Sequence, residues 1–215
     1  MKKLGKFIVV EGMDGSGKSS VTNYVHSYFQ ERSIPTIKTF EIGGTPIGKQ
    51  IRTMFLNSAD EKIDPRARML AFLAARIQHL VNVVNPAIAD GKVVVSDRYS
   101  PSTLVYQGYN DGILGCYRDL LPSFSGLGLD VTPDFIIYLK TSAEIAYERG
   151  VARCNVDNTT YKTTLTQAYQ TAHAYEEVMT CFYADTCVLT IDADHDFETV
   201  QKQVKDVLDW IVTQL

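Results

Sequence analysis

The stretch from Glu11 to Ser20, Glu-Gly-Met-Asp-Gly-Ser-Gly-Lys-Ser-Ser, constrains this chain more than any other, and the apolar run Phe7 to Val10 leads into it. Gly12, Gly17, Lys18 and Ser19 satisfy G-x-x-x-x-G-K-[ST], a loop whose backbone N–H groups cradle nucleotide phosphates. The glycines permit tight turns and close approach, Lys18 supplies a mobile positive charge, and Ser19 offers a hydroxyl to Mg²⁺. A bare match of this kind arises by chance, and the bland alternative is a glycine turn between core elements. Here Val21, Val25, Tyr28 and Phe29 follow at helical spacing, so the loop sits between strand and helix as the motif requires. The expected triphosphate site is therefore the loop itself: Gly12, Met13, Asp14, Gly15, Ser16 and Gly17, then Lys18, Ser19 and Ser20.

Beyond the loop, short apolar runs alternate with longer helical patterns, the signature of βαβ units and an α/β fold with a parallel sheet. Five strands are expected, at about Lys6 to Val10, Thr36 to Phe40, Val93 to Ser96, Phe135 to Leu139 and Cys187 to Ile191. Ligands on such sheets bind beyond the carboxyl ends of the strands. Pro46 opens a helix whose buried side would be Ile47, Ile51, Met54 and Phe55. Arg52, on its other side, is either a solvated charge or an anion contact. Asp64-Pro65 reads as an N-cap and first-turn proline opening a helix to about Ala89, with Leu70, Leu73, Ile77, Leu80, Val84 and Ile88 as its core stripe.

Phe72, Arg76 and His79 share a second face of that helix. A ring one turn before a guanidinium suits stacking on a base and bonding its carbonyl, or is simply a packed Phe beside an exposed Arg. The third strand runs into Asp97-Arg98, a carboxylate placed to position Mg²⁺ and a guanidinium able to clamp phosphate, or else a surface ion pair. Ser102, Thr103, Tyr106 and Gln107 follow on a loop-to-helix segment. Thr141 and Glu144 resemble a capping box for a helix carrying Arg149 and Arg153, and the polar, aperiodic residues from Cys154 to Thr164 suit a mobile surface segment. A helix from about Thr164 to Ala184, the fifth strand and an amphipathic final helix complete the chain.

Length and composition bound the rest. A chain of 215 residues that is 45% hydrophobic and 21% charged suits one domain spanning residues 1–215, and a net charge of −4 argues against nucleic acid as partner. Cys116, Cys154, Cys181 and Cys187 form no C-x-x-C pair or zinc-like spacing, so reduced thiols and a cytoplasmic compartment are expected. The apolar stretch after the basic first residues is only strand length, which suits neither a signal peptide nor a membrane span.

Taken together, these residues resemble the thymidylate kinases, P-loop nucleoside monophosphate kinases, over nearly the whole chain. Four stretches carry the resemblance: the phosphate loop, Glu-Ile-Gly-Gly-Thr-Pro at Glu41 to Pro46, Phe72 to His79, and Asp97-Arg98-Tyr99 through Tyr106-Gln107-Gly108. It implies a three-layer fold with a five-stranded parallel sheet, a lid at about residues 150–166, ATP and Mg²⁺ as cofactors, dTMP as acceptor and a homodimer. It also implies roles. Lys18 and the loop amides hold the ATP phosphates, Ser19 with Asp97 nearby holds Mg²⁺, and Arg149 neighbours the adenine. Asp14 meets the sugar 3′-hydroxyl, Phe72 stacks on thymine, and Arg76 bonds its O4 with Thr103 and Gln107 close by. Arg98 and Arg52 hold the acceptor phosphate, and Tyr106 crowds the 2′ position.

Two departures stand out. Phe40 replaces the arginine that the family usually has before Glu-Pro-Gly-Gly, and Ile42 replaces the proline, which puts one phosphate contact in question. The loop carries Gly15 where some members place a catalytic arginine, so a lid arginine is expected, yet residues 154–166 contain only Lys162. Arg153, at the lid's entrance, is the expected substitute. The alternatives are a kinase of broader deoxynucleoside monophosphate choice, a nucleotide-dependent switch, or an ATP-binding protein with an inactive lid.

Overall fold

Five strands, β1 (Lys6–Glu11), β2 (Thr36–Phe40), β3 (Val93–Asp97), β4 (Phe135–Lys140) and β5 (Cys187–Asp192), pair in parallel in the order β2-β3-β1-β4-β5. The computed structural model describes residues 5–56, 62–156 and 163–215. All five strands lie where expected, four of them one residue longer at the carboxyl end. Around them, in chain order, run α1 (Lys18–Glu31), α2 (Pro46–Leu56), α3 (Pro65–His79), α4 (Asn85–Ala89), α5 (Ser100–Thr103), α6 (Leu114–Leu120), α7 (Ala143–Val156), α8 (Leu165–Cys181) and α9 (Phe197–Thr213).

The central strands are continuous apolar runs because helices cover both faces of the sheet. Alternation sends Ile8, Val10, Val95 and Ile137 toward α1 and α9, and Phe7, Val9, Val94 and Ile136 toward α3 and α8. Each such fully buried side chain contributes about 1.5–3 kcal/mol relative to exposure. The chain leaves β1 for one side of the sheet and later returns to its other side. That reversal opens a crevice beyond the carboxyl ends at β1.

Several local expectations are corrected. The helix expected from Pro65 to Ala89 is interrupted by a π turn, Leu80–Val84, in which the Asn85 N–H bonds the Leu80 carbonyl. Pro86 has no N–H to give and its ring crowds the carbonyl of Asn82, which accounts for the break. Leu73, Leu80 and Val84 are buried as expected, but Leu70 is 52% exposed, as are Ile47 (51%) and Met54 (56%) of α2. Spacing identifies an apolar face without saying what covers it.

The capping box expected at Thr141 and Glu144 does not form. Asp194, from beyond β5, caps the Ser142 N–H at 2.7 Å, while the Thr141 hydroxyl turns to the Leu139 carbonyl. A capping box does form at Thr164 and Gln167, opening α8. Because α7 reaches Val156, Cys154 and Asn155 are helical rather than part of a loop. Of the rest of the expected lid, residues 157–162, with Lys162, lie outside the described residues, and Thr164 to Thr166 already belong to the start of α8.

Candidate active site

Strand register builds the site. Val10 pairs with Asp97, and Asp97 with Phe40, so the loop after β1 and the acidic end of β3 share one edge. Gly17 caps α1 in the left-handed region (φ 86°), with no side-chain cap and no acid in the first turn. The first N–H groups of the helix are thereby left for an anion. Gly15 passes so close to α7 that a Cβ would lie 2.1 Å from the Ala146 carbonyl, so the loop has no room for a side chain there.

Lys18 folds back onto the Met13 carbonyl at 2.7 Å, and burial, reinforced by Arg98, pushes its pKa down to about 7. The Ser16 hydroxyl is buried without a partner among the described residues. Ser19 donates to Asp97 at 3.0 Å. A cavity of about 890 Å³ opens over the loop, and Ser20, Phe40, Arg149 and Arg153 lie on its wall. Arg149 is braced by the Ala193 and His195 carbonyls, each at 2.7 Å.

Arg98 is the hub, held in a left-handed conformation (φ 73°) that costs a non-glycine residue about 1–3 kcal/mol. Its guanidinium donates to Asp14 at 2.6 Å, Ser102 at 2.8 Å and the Tyr175 hydroxyl at 3.1 Å. Burial opposes its charge, but Tyr106, Tyr175, Asp14 and Glu11 hold its pKa well above the ordinary value. Burial likewise opposes ionisation of Asp14, yet Arg98, Lys18 and Arg153 bring its pKa below the usual carboxylate value. Beneath them Glu11 accepts the Tyr99 N–H at 2.8 Å and the Ser102 hydroxyl at 2.8 Å. Burial raises the pKa of this carboxyl.

A second cavity of about 420 Å³ adjoins the first, and Asp14, Arg52 and Arg98 lie on the walls of both. Phe72 and Arg76, one turn apart on α3, face this second cavity together with Thr103, Tyr106 and Gln107. Arg76 is buried, not the exposed arginine of the bland reading. Its Nε donates to Glu41 at 2.6 Å and its Nη2 to Thr103 at 2.8 Å. Phe72 packs edge-on to Phe55 at 5.8 Å, and Arg52 donates to the Ile42 carbonyl at 3.3 Å. The Tyr106 hydroxyl is buried without a partner among the described residues, and burial pushes its pKa up to about 12.

The site residues named from the sequence thus gather at one sheet edge around two joined cavities. Sequence reasoning missed Glu11, Glu41 and Tyr175 as site builders. Glu11 and Glu41 were legible as acids at strand ends, whereas nothing around Tyr175 marks it.

A phosphate loop at the switch point of a parallel sheet, beside an acidic strand end and a second cavity sharing its arginines, is the architecture of a P-loop nucleotide kinase. The family model for thymidylate kinase matches residues 10–204. The thymidylate kinase of Cereibacter sphaeroides is 41% identical over 150 residues, covering 69% of this chain and 68% of that one. Those of Halalkalibacterium halodurans and Pseudoalteromonas translucida are each 33% identical, covering 91% and 94% of this chain and 92% and 95% of theirs. The chain belongs to the thymidylate kinase family.

Proposed function

We propose that this chain transfers the γ-phosphoryl group of ATP to dTMP, giving ADP and dTDP, within a single domain spanning residues 1–215. The observation that carries the reading is the shared wall: Asp14, Arg52 and Arg98 border both cavities, so two nucleotides seated there meet at their phosphates. In the transfer, an acceptor phosphate oxygen bonds to the γ-phosphorus as the bond from that phosphorus to the β–γ bridging oxygen breaks. Three crowded anions must be neutralised and aligned, with little covalent chemistry left to the protein. Lys18 and the α1 N-terminus hold the triphosphate, Arg149 borders the adenine, and Arg98 with Arg52 hold the acceptor phosphate. Phe72 stacks on the thymine, Arg76 bonds its O4, and Tyr106 crowds the sugar. Arg153 supplies the cation that Gly15 cannot.

The meeting of the Ser19 hydroxyl and the Asp97 carboxylate fits Mg²⁺, which takes one or two protein oxygens and completes its shell with phosphates and water. Once bound, it neutralises charge on the β- and γ-phosphates. No cluster of three metal-ligating side chains occurs among the described residues, consistent with so sparse a protein shell.

A homodimer is the proposed assembly. Leu70 and Val81 (59%) are exposed, and Ile47 lies exposed on neighbouring α2, whereas Ile77, between Leu70 and Val81, packs against the core. Exposed large apolar side chains on two packed helices suit an interface between copies of the chain. No helix among the described residues is long and apolar enough to cross a membrane, and all four cysteines are free thiols, which supports a reducing, cytoplasmic setting.

Coupled ADP release with each deoxy- and ribonucleoside monophosphate tests the reading. Release that depends on dTMP and prefers it is expected. A preference for another monophosphate, or release independent of acceptor, overturns it.

A further inference from the structure

None of Thr39, Glu41 and His79 has a part in the transfer described above, yet they form a buried polar group next to Arg76 of the second cavity. Arg76, Glu41 and His79 are 3%, 4% and 2% exposed. One Glu41 oxygen accepts from Arg76 Nε at 2.6 Å, and the other from His79 Nδ1 at 2.9 Å. A carboxylate only accepts, so Nδ1 carries the proton, and in the neutral ring Nε2 accepts from the Thr39 hydroxyl at 2.6 Å. The chain of bonds therefore runs Thr39, His79, Glu41, Arg76, Thr103, from β2 through α3 to α5.

The glycine turn after β2 makes room for it. A Cβ on Gly44 would lie 2.6 Å from the His79 ring and 2.7 Å from the Thr39 hydroxyl. With Nε held by Glu41 and one Nη2 hydrogen by Thr103, three of the guanidinium's N–H donors remain for the cavity that Phe72 and Gln107 share. Short charge-assisted bonds at fixed geometry stop that edge from turning.

We infer that Glu41 and His79, tied down by Thr39, are positioning residues that lock Arg76 as a donor-only edge and so select a 4-oxo over a 4-amino pyrimidine. The inference rests on the reading that Arg76 faces the base. A carbonyl at the 4-position accepts from this edge, whereas an amino group sets donor against donor and leaves a buried group unpaired. Discrimination of that kind is strong only where the site cannot rotate to relieve the mismatch.

The test compares kcat/KM for dTMP and for 5-methyl-dCMP, which differ in the 4-oxo or 4-amino group and in the N3 proton that goes with it, using ADP release; His79 and Thr39 variants leave the N3 contacts alone, so the change they cause reads the 4-position. His79→Leu is expected to lower the dTMP preference roughly tenfold, the scale of one lost hydrogen bond, through KM for dTMP and with KM for ATP unchanged. His79→Asn, whose amide N–H overlays Nδ1–H, should retain most of the preference. Thr39→Val, close in shape, should give an intermediate loss. If Arg76→Met collapses the preference while His79→Leu and Thr39→Val keep it, the inference is overturned and the base assignment stands. If Arg76→Met leaves the preference intact, the base assignment itself fails. A loss equal for both substrates, accompanied by a lower Tm, would also overturn the inference, because it would mark a purely structural role.

Discussion

Replacing Phe72 with alanine separates the two cavities most cleanly. Phe72 borders the second cavity and not the first, while the phosphate loop, Arg149 and Arg153 border the first. Its ring is half-buried and packs edge-on to Phe55 at 5.8 Å, a pair worth about 0.5–1.5 kcal/mol beyond its buried area, so the domain should stay folded. Stacking of a base on an aromatic ring is worth about 1–3 kcal/mol, which corresponds to about a 5- to 150-fold loss of dTMP affinity at 25 °C. Titration calorimetry with dTMP, and separately with a non-hydrolysable ATP analogue, reads both sites in one protein. The expected result is weaker dTMP binding in that range with analogue binding unchanged. Unchanged dTMP affinity, or equal weakening of both nucleotides, would refute the placement of the acceptor base.

Arg153→Ala should lower kcat by roughly 10²–10³, the usual cost of a lost charge-stabilising donor, with little change in either KM. Unchanged turnover removes Arg153 from the reaction. Lys18, with its pKa pushed down to about 7 by burial and Arg98, is largely neutral at pH 8 in the empty site, and a triphosphate should restore its charge. ATP binding should then take up most of a proton at pH 8 and little at pH 6, measured by calorimetry in buffers of different ionisation heat; no uptake at pH 8 contradicts the environment assigned to Lys18. The same group binds more protons unfolded than folded between about pH 7 and 10.5, so its contribution makes the unliganded protein more stable as pH rises through that window. Leu70→Glu with Val81→Glu should give a monomer by light scattering after gel filtration, and a persistent dimer would rule out this face as the interface.

The strands and the phosphate loop were legible because both are local. Fully buried parallel strands write continuous apolar runs, and the loop needs its glycines at fixed spacing. What was not legible depends on pairs distant in the chain. Asp194 caps α7 from 52 residues away, the Tyr175 hydroxyl reaches Glu11 across 164, and Glu41 reaches Arg76 across 35. The i, i+4 spacing of Phe72 and Arg76 placed them on one face, but only the fold shows that this face lines a cavity. Exposure of Leu70 and Ile47 was equally hidden, since an apolar stripe reads the same whether its cover is the chain's own core or another surface. The π turn after His79 left one readable trace, Pro86, inside a pattern that otherwise favoured an unbroken helix.

The central claim is that two nucleotides meet at their phosphates between Lys18 and Arg98. Its most direct measurement is a crystal structure with adenosine and thymidine joined 5′ to 5′ by five phosphates. The account predicts thymine against Phe72 with its O4 on Arg76, adenosine beside Arg149, and the phosphate chain crossing Lys18, Arg98 and Arg52. Thymine lying outside the cavity bounded by Phe72 and Arg76, with only the adenosine end ordered, would contradict it.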